Sequence, residues 1–276
     1  YHAEKDLARD LHLLNSTQAP LEEADPEKVL RWVQSRLGFD LAEKQQDAIR
    51  QALHSKVMVI TGGPGVGKTT LVNGLIKIYE ARKLKVQLAA PTGRAAKRMQ
   101  ETTGHYAQTL HRLLIFDPAN GGFKHDRANP LKGDVFIMDE ASMLDLPLAG
   151  KLIGALPKEA VLILVGDVDQ LPSVGPGSVL RDIMQSDTVQ VCRLTEIFRQ
   201  AADSHIVINA HRINNGEFPF SCSPTQPGDF YHIEAESPGE VWSKIRGLLE
   251  KRLQQHFHLD PRRDVQVLTP MQRGDL

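Results

Sequence analysis

The sequence has only two cysteines in 276 residues, Cys192 and Cys222, too few for a disulfide framework or a zinc cluster. They lie in an apolar stretch (VQVCRL) and a polar one (FSCSPT) and read as structural thiols in a reducing, cytoplasmic compartment. An excess of charge of one sign is also missing. With 33 Lys and Arg against 34 Asp and Glu the formal charge is -1, so no global positive field draws the chain to nucleic acid or membrane, and any basic site must be local. Runs such as VLILV at 161–165 are far below bilayer-spanning length, and no signal peptide opens the chain. No internal repeat is evident, and ordinary shares of apolar (41%) and charged (24%) residues exclude disorder, collagen-like repetition and a coiled coil. A soluble protein folded around a core is expected. The chain opens on Tyr1 rather than Met and stops at Leu276, just after VQVLTPMQRGDL, and reads as an excised piece.

Periodicity predicts helices over 3–14 and 26–37, the second with Asp25 as N-cap, Pro26 at the first helical position and Gly38 as terminator. Their apolar faces (Leu7, Leu11, Leu14; Val29, Val33, Leu37) need something larger to pack against. A third helix over about 41–54 leads into VMVI at 57–60. Short continuous apolar runs then alternate with helical segments: VMVI, a helix around 68–82, VQLAA, VFIM at 135–138, VLILV and VQVC at 189–192. Continuous runs mark strands buried on both faces, which predicts an α/β fold with a mostly parallel central sheet. Residues 117–133, rich in Gly, Pro and Asn, read as an insertion with a hairpin around Gly121 and Gly122. Pro, Gly and Ser accumulate at 214–228, a linker or domain edge. An expected strand (DFYHIE), a helix over about 238–255 and another strand (VQVLTP) follow it.

Gly62-Gly63-Pro64-Gly65-Val66-Gly67-Lys68-Thr69 fits G-x-x-x-x-G-K-[ST] and lies between the VMVI strand and a helix, the context this motif requires. The glycines let backbone N–H groups curl around phosphates, and the helix N-terminus adds its positive end. Lys68 is expected to reach the β and γ phosphates, and Thr69 to hold Mg²⁺ through its hydroxyl. The VFIM strand delivers Asp139, expected to hold the metal through water, and Glu140, placed to activate the attacking water. After VLILV, Gln170 is a candidate γ-phosphate contact, with a solvated turn as the competing reading. Arg199, in LTEIFRQ, is a candidate for neutralising transition-state charge, although alone on a helix it also reads as a surface residue. Residues 81–112 hold seven Lys or Arg against the single acid Glu101, with His105 and His111 nearby. They form either a phosphate-backbone surface or solvated helix faces. Pro91, Thr92 and Gly93 follow VQLAA, where exposed N–H groups and a hydroxyl can position a phosphate.

Taken in order, Gln45 with Ala48, GGPGVGKTT, APTGRAAKRM, QTLHRLL, MDEASMLD, VGDVDQLPSVGPGSVL and LTEIFRQA resemble superfamily 1 helicases. They are most similar to the RecD-like branch of bacterial ATP-dependent DNA helicases, the exodeoxyribonuclease V alpha-subunit family, over about residues 41–215. The resemblance implies a RecA-like P-loop NTPase fold that uses ATP and Mg²⁺. The implied nucleotide site comprises Gln45, which would read adenine, and the loop Gly62, Gly63, Pro64, Gly65, Val66, Gly67, Lys68, Thr69 and Thr70. Gln170 and Arg199 would contact the γ-phosphate. Pro91, Thr92, Gly93 and Arg94, with Thr109, His111 and Arg112, would touch single-stranded DNA, and 112–133 would be the inserted element that helps part the strands. The implied organisation is a helical lead-in (1–40), a first RecA-like motor domain (41–213), then a linker and the opening of a second such domain (214–276), with VLTPMQRG similar to its first strand and loop. The implied activity is 5′ to 3′ translocation on single-stranded DNA from duplex ends, in repair or recombination, alone or with nuclease or helicase partner subunits. The late motifs of a second motor domain are missing, so this piece alone is expected to unwind nothing. Two other classes stay open on the residues themselves: a nucleic-acid-binding or interaction subunit with a structural P-loop, and a metabolic P-loop kinase, for which neither acceptor pocket nor lid is visible.

Overall fold

Strands buried on both faces must alternate their side chains between two cores, and the unbroken apolar runs of this chain do so. The computed structural model describes residues 1–118, 121–196, 204–222 and 228–269. Their contacts divide the chain into two units, Tyr1–Glu217 and Phe218–Leu276.

The first unit opens with α1 (His2–Asn15), α2 (Pro26–Leu37) and α3 (Glu43–His54), followed by β1 (Val57–Thr61) and α4 (Lys68–Ala81). Next come β2 (Val86–Ala90), α5 (Gly93–Thr103), β3 (Ala107–Thr109) and α6 (Leu110–Leu113), then the short strands β4 (Phe116–Asp117) and β5 (Gly122–Phe123). After β6 (Val135–Met138) and a 3₁₀ turn (Ala141–Met143), the chain continues through α7 (Leu146–Gly154), β7 (Val161–Gly166), α8 (Val179–Gln185), β8 (Gln190–Arg193) and α9 (His205–Asn214). Six parallel strands form one sheet in the order β3-β2-β6-β7-β1-β8. This is the expected α/β architecture, and β4 and β5 pair antiparallel beside the expected hairpin glycines.

Met58, Ile60, Val135, Ile137, Val161 and Ile163 join one core with α2, α3 and α4. Their neighbours Val57, Val59, Phe136, Met138, Leu162 and Leu164 join the other, with α1, α7 and α8. The two N-terminal helices therefore sit in opposite cores: α1 buries Leu7, Leu11 and Leu14 and packs on α7, while α2 buries Leu30 and Val33 and packs on α3 and α4. Asp25 caps α2, accepting the N–H groups of Glu27 and Lys28 at 3.0 and 3.2 Å, and Gly38 ends it in the left-handed region. Neither cysteine is paired, and burial pushes the Cys192 thiol up to about 11.

One boundary is sharpened, one strand was not announced by the sequence, and one expectation needs correction. The third helix starts at Glu43 rather than 41, because Ala42 is extended and its N–H is taken by the Gln45 side chain at 3.2 Å. The strand β3, with no apolar run to announce it, forms on the open edge of β2. In the second unit the expected helix is present, as α10 (Pro238–Gly247), a π turn (Leu248–Arg252) and α11 (Leu253–Phe257). The two strands expected beside it are not: among the described residues, 229–235 and 265–269 form no ladder, and Pro270 of the second lies outside them. An extended segment keeps its strand form only with neighbours to pair its backbone and cover its apolar face, and α10 itself buries none of its residues. Among the described residues, no helix is long and apolar enough to cross a membrane.

Candidate functional site

In an open parallel sheet, ligands gather beyond the carboxyl ends of the strands, and the chemistry-bearing residues of this chain lie there. The loop 62–67 leaves β1 and turns into α4. Gly67 makes the turn with φ +76, and among the described residues no side chain caps the helix it opens, so the first-turn N–H groups of α4 are left to other acceptors. Gly62 passes so close to the Leu194 carbonyl that a Cβ would stand 2.5 Å from its oxygen. The Lys68 ammonium donates to the carbonyls of Gly62 (2.5 Å) and Gly63 (2.9 Å), lying back over its own loop.

A 750 Å³ cavity spans this loop from Gly63 to Thr70 and the ends of β6 and β7, bringing Lys68, Thr69, Asp139, Glu140 and Gln170 together. Such a volume suits a nucleotide-sized ligand. Asp139 accepts the N–H of Glu140 at 2.9 Å, and Glu140 itself is held at φ +52, a left-handed conformation unusual for a side chain of its size. Burial pushes both carboxyls above their ordinary values. It is opposed at Asp139 by the Glu140 N–H and the charges of Lys68 and Arg98, and at Glu140, where Asp139 adds to the rise, by the same two cations. Burial lowers Lys68, against the pull of Asp167, Glu140 and Asp139.

Gln45 behaves differently from the other nucleotide candidates. It is 1% exposed, and its two polar ends are both engaged: the amide donates to the Gly67 carbonyl at 3.1 Å and the oxygen accepts the Ala42 N–H. It thus straps the start of α3 to the phosphate loop and is not among the residues that line the cavity. Arg199 lies outside the described residues.

The DNA-facing candidates converge as well. Because β2 and β3 pair with Ala90 opposite Thr109, the segments Pro91–Arg94 and Thr109–Arg112 leave the sheet side by side. Thr92 and Thr109 accept the N–H groups of Ala95 and Arg112 as caps of α5 and α6, while Gly93, Arg94, His111 and Arg112 are exposed. The His111 ring stacks toward Phe116 and Phe123 of the small hairpin, with centroids 6.1 and 5.6 Å away.

A family model described as an AAA domain, a nucleotide-binding family, matches residues 45–176. The ATP-dependent RecD2 DNA helicase of Deinococcus radiodurans is 39% identical over 236 residues, 86% of this chain and 31% of that protein. The chain is similar to RecD-like proteins over most of its length. The RecBCD enzyme subunit RecD of Mycolicibacterium smegmatis is 40% identical over 167 residues, covering 52% of the chain and 30% of that subunit. The chain thus spans about a third of the length of these RecD-like relatives. Among solved structures, a Pif1 helicase from Candida albicans superposes with a TM-score of 0.52 at 23% identity, over 72% of this chain and 50% of that one, which shows a shared fold.

Three residues of this RecD-like site escaped the motif reading. Asp167, 3% exposed, accepts the side-chain amide of Gln170 at 3.3 Å and the N–H of Asp169 at 3.1 Å, and so orients Gln170. Its signal was present, since it follows an apolar strand as Asp139 does. His211 of α9 lies against the phosphate loop, where a Cβ on Gly63 would stand 2.7 Å from its Cε1, and its Nε2 is buried with no hydrogen-bond partner among the described residues. Arg98 lines the cavity from α5. Arg98 was marked only as part of the basic stretch, with no sign that it faces the nucleotide cavity, and nothing in the local sequence marks His211.

Proposed function

We propose that this RecD-like chain carries the nucleotide-driven motor of an ATP-dependent DNA helicase that moves 5′ to 3′ on single-stranded DNA in repair or recombination. One observation carries the reading: Lys68, Thr69, Asp139, Glu140 and Gln170, delivered by the ends of three strands, line one cavity. A P-loop retained only for stability has no physical need for the carboxylate pair and the glutamine.

Lys68 exchanges its own loop carbonyls for the β and γ phosphates of ATP, while the uncapped N–H groups of α4 hold the remaining phosphate oxygens. Thr69 and Asp139 are hard oxygen donors in the same cavity, the set that suits Mg²⁺ when phosphate and water complete the shell. When bound, that ion neutralises charge on the β and γ oxygens. The raised Glu140 carboxyl accepts a proton from the water that attacks the γ-phosphorus as the bond to ADP breaks. Gln170, held by Asp167, contacts the γ-phosphate, and Arg199 offsets its developing charge. For Gln45 to read adenine, its amide must release both Ala42 and Gly67. Pro91–Arg94 and Thr109–Arg112 form the strip for single-stranded DNA. Functionally the chain divides into lead-in (1–40), first motor domain (41–213), and linker with the opening of a second (214–276). One relative is a subunit of the RecBCD enzyme and another is named as a DNA helicase, which supports DNA and partner subunits as what the full-length protein meets; duplex ends are the substrate we propose for it.

In the full-length protein, Lys68→Ala is expected to lower DNA-stimulated ATP hydrolysis by about 100-fold or more and to abolish unwinding, with an unchanged circular dichroism spectrum. Unwinding at the normal rate would overturn the motor reading. Hydrolysis indifferent to single-stranded DNA would instead favour a metabolic kinase.

A further inference from the structure

The basic stretch at 81–112 does not present one surface. On α5, Arg94 is exposed beside the Pro91–Gly93 loop, and Lys97 pairs with Glu101 at 3.8 Å. Arg98 lies one turn beyond Arg94 and lines the nucleotide cavity with Met99, facing the space also bounded by Lys68, Thr69, Asp139 and Glu140. Its guanidinium makes no ion pair or hydrogen bond among the described residues, although its charge is felt at both carboxylates and at Lys68. An unpaired guanidinium on an exposed, flexible stem, beside a lysine and two carboxylates in a cavity of nucleotide size, is matched to a phosphate chain.

We propose that Arg98 is a phosphate-binding residue of the nucleotide site, carried there by the helix whose N-terminal end meets DNA; this rests on the motor reading above. Arg94 and Arg98 are about 6 Å apart along the axis of one rigid helix. A strand engaging Thr92–Arg94 therefore sets how far Arg98 reaches toward the phosphates, a short mechanical route from DNA contact to hydrolysis.

The test compares Arg98→Ala, Arg98→Lys and Arg94→Ala in the full-length protein. Nucleotide affinity is read by titration with a fluorescent ATP analogue, and single-stranded DNA affinity by anisotropy over a range of salt. For Arg98→Ala we expect nucleotide affinity and DNA-stimulated turnover to fall about ten-fold or more, with DNA affinity and its salt slope unchanged, and partial recovery in Arg98→Lys. Arg94→Ala should weaken DNA binding and reduce the salt slope by about 1, leaving nucleotide affinity without DNA unchanged while the concentration of DNA needed to stimulate turnover rises. Weaker DNA binding by Arg98→Ala, or no change in nucleotide affinity, would overturn the assignment. A wild-type protein without ATPase activity would instead sink the motor reading itself.

Discussion

Asp139, Glu140 and Lys68 are each held in a form that their burial disfavours. The two acids have raised values, so the stability linked to them is fully present below their ordinary values of 3.8 and 4.5 and is lost as pH rises through the raised ones. Lys68 is lowered, so its contribution is present above 10.5 and lost as pH falls through the depressed value. Near neutral pH both signs of charge are therefore kept at a cost to the fold, as expected where chemistry rather than stability sets the residues. We expect Glu140→Gln to raise the melting temperature of the nucleotide-free protein at pH 7.5 by about 2 °C, a modest figure because solvent reaches the carboxyl. The advantage should shrink as pH falls toward 4.5, and calorimetry across that range checks it. The residues that fixed spacing places after a strand, Lys68, Thr69, Asp139, Glu140 and Gln170, were legible because a motif encodes local backbone geometry. Arg98 and His211 were not, because their nearness to the phosphate loop comes from how α5 and α9 pack.

Among the elements, the strands announced by four or more buried apolar residues were all found, since a run of that kind has no other stable place than between two cores. A three-residue strand such as β3 has no such signature and exists because β2 offers an open edge. The tail failed for the opposite reason: its residues have strand character, but among the described residues of that unit no ladder takes them in. Local tertiary caps are equally hidden from sequence. The buried Tyr79 hydroxyl on α4 donates to the Ala52 carbonyl at 3.2 Å, satisfying an acceptor in the last turn of α3, and burial holds the phenol well above its ordinary value. Tyr79→Phe removes one hydrogen bond and leaves that carbonyl buried. We expect a loss of about 1 kcal/mol in urea unfolding, with the m-value unchanged.

At the scale of the molecule, a formal charge of -1 averages a basic stretch at 81–112 with an acidic one at 134–145, where four acids meet no Lys or Arg. The fold keeps them on neighbouring strands, β2 and β6, so the two fields meet at the cavity that Arg98 and Glu140 share. Residues 1–40 are equally part of the whole, because α1 and α2 belong to the cores on opposite faces of one sheet. A form that starts at residue 41 should expose both cores, bind a hydrophobic dye and elute as aggregate from a sizing column. Leu11→Ala alone should cost about 2–4 kcal/mol. The pairing of α1 with α7 also bears on synthesis. The helix ending at Asn15 leaves the ribosome long before the one beginning at Leu146, so Leu7, Leu11 and Leu14 stay uncovered while most of the sheet is still being made. Docking of α1 is then a late step of assembly, and the nascent chain carries an uncovered apolar helix face that chaperones have reason to hold until α7 arrives.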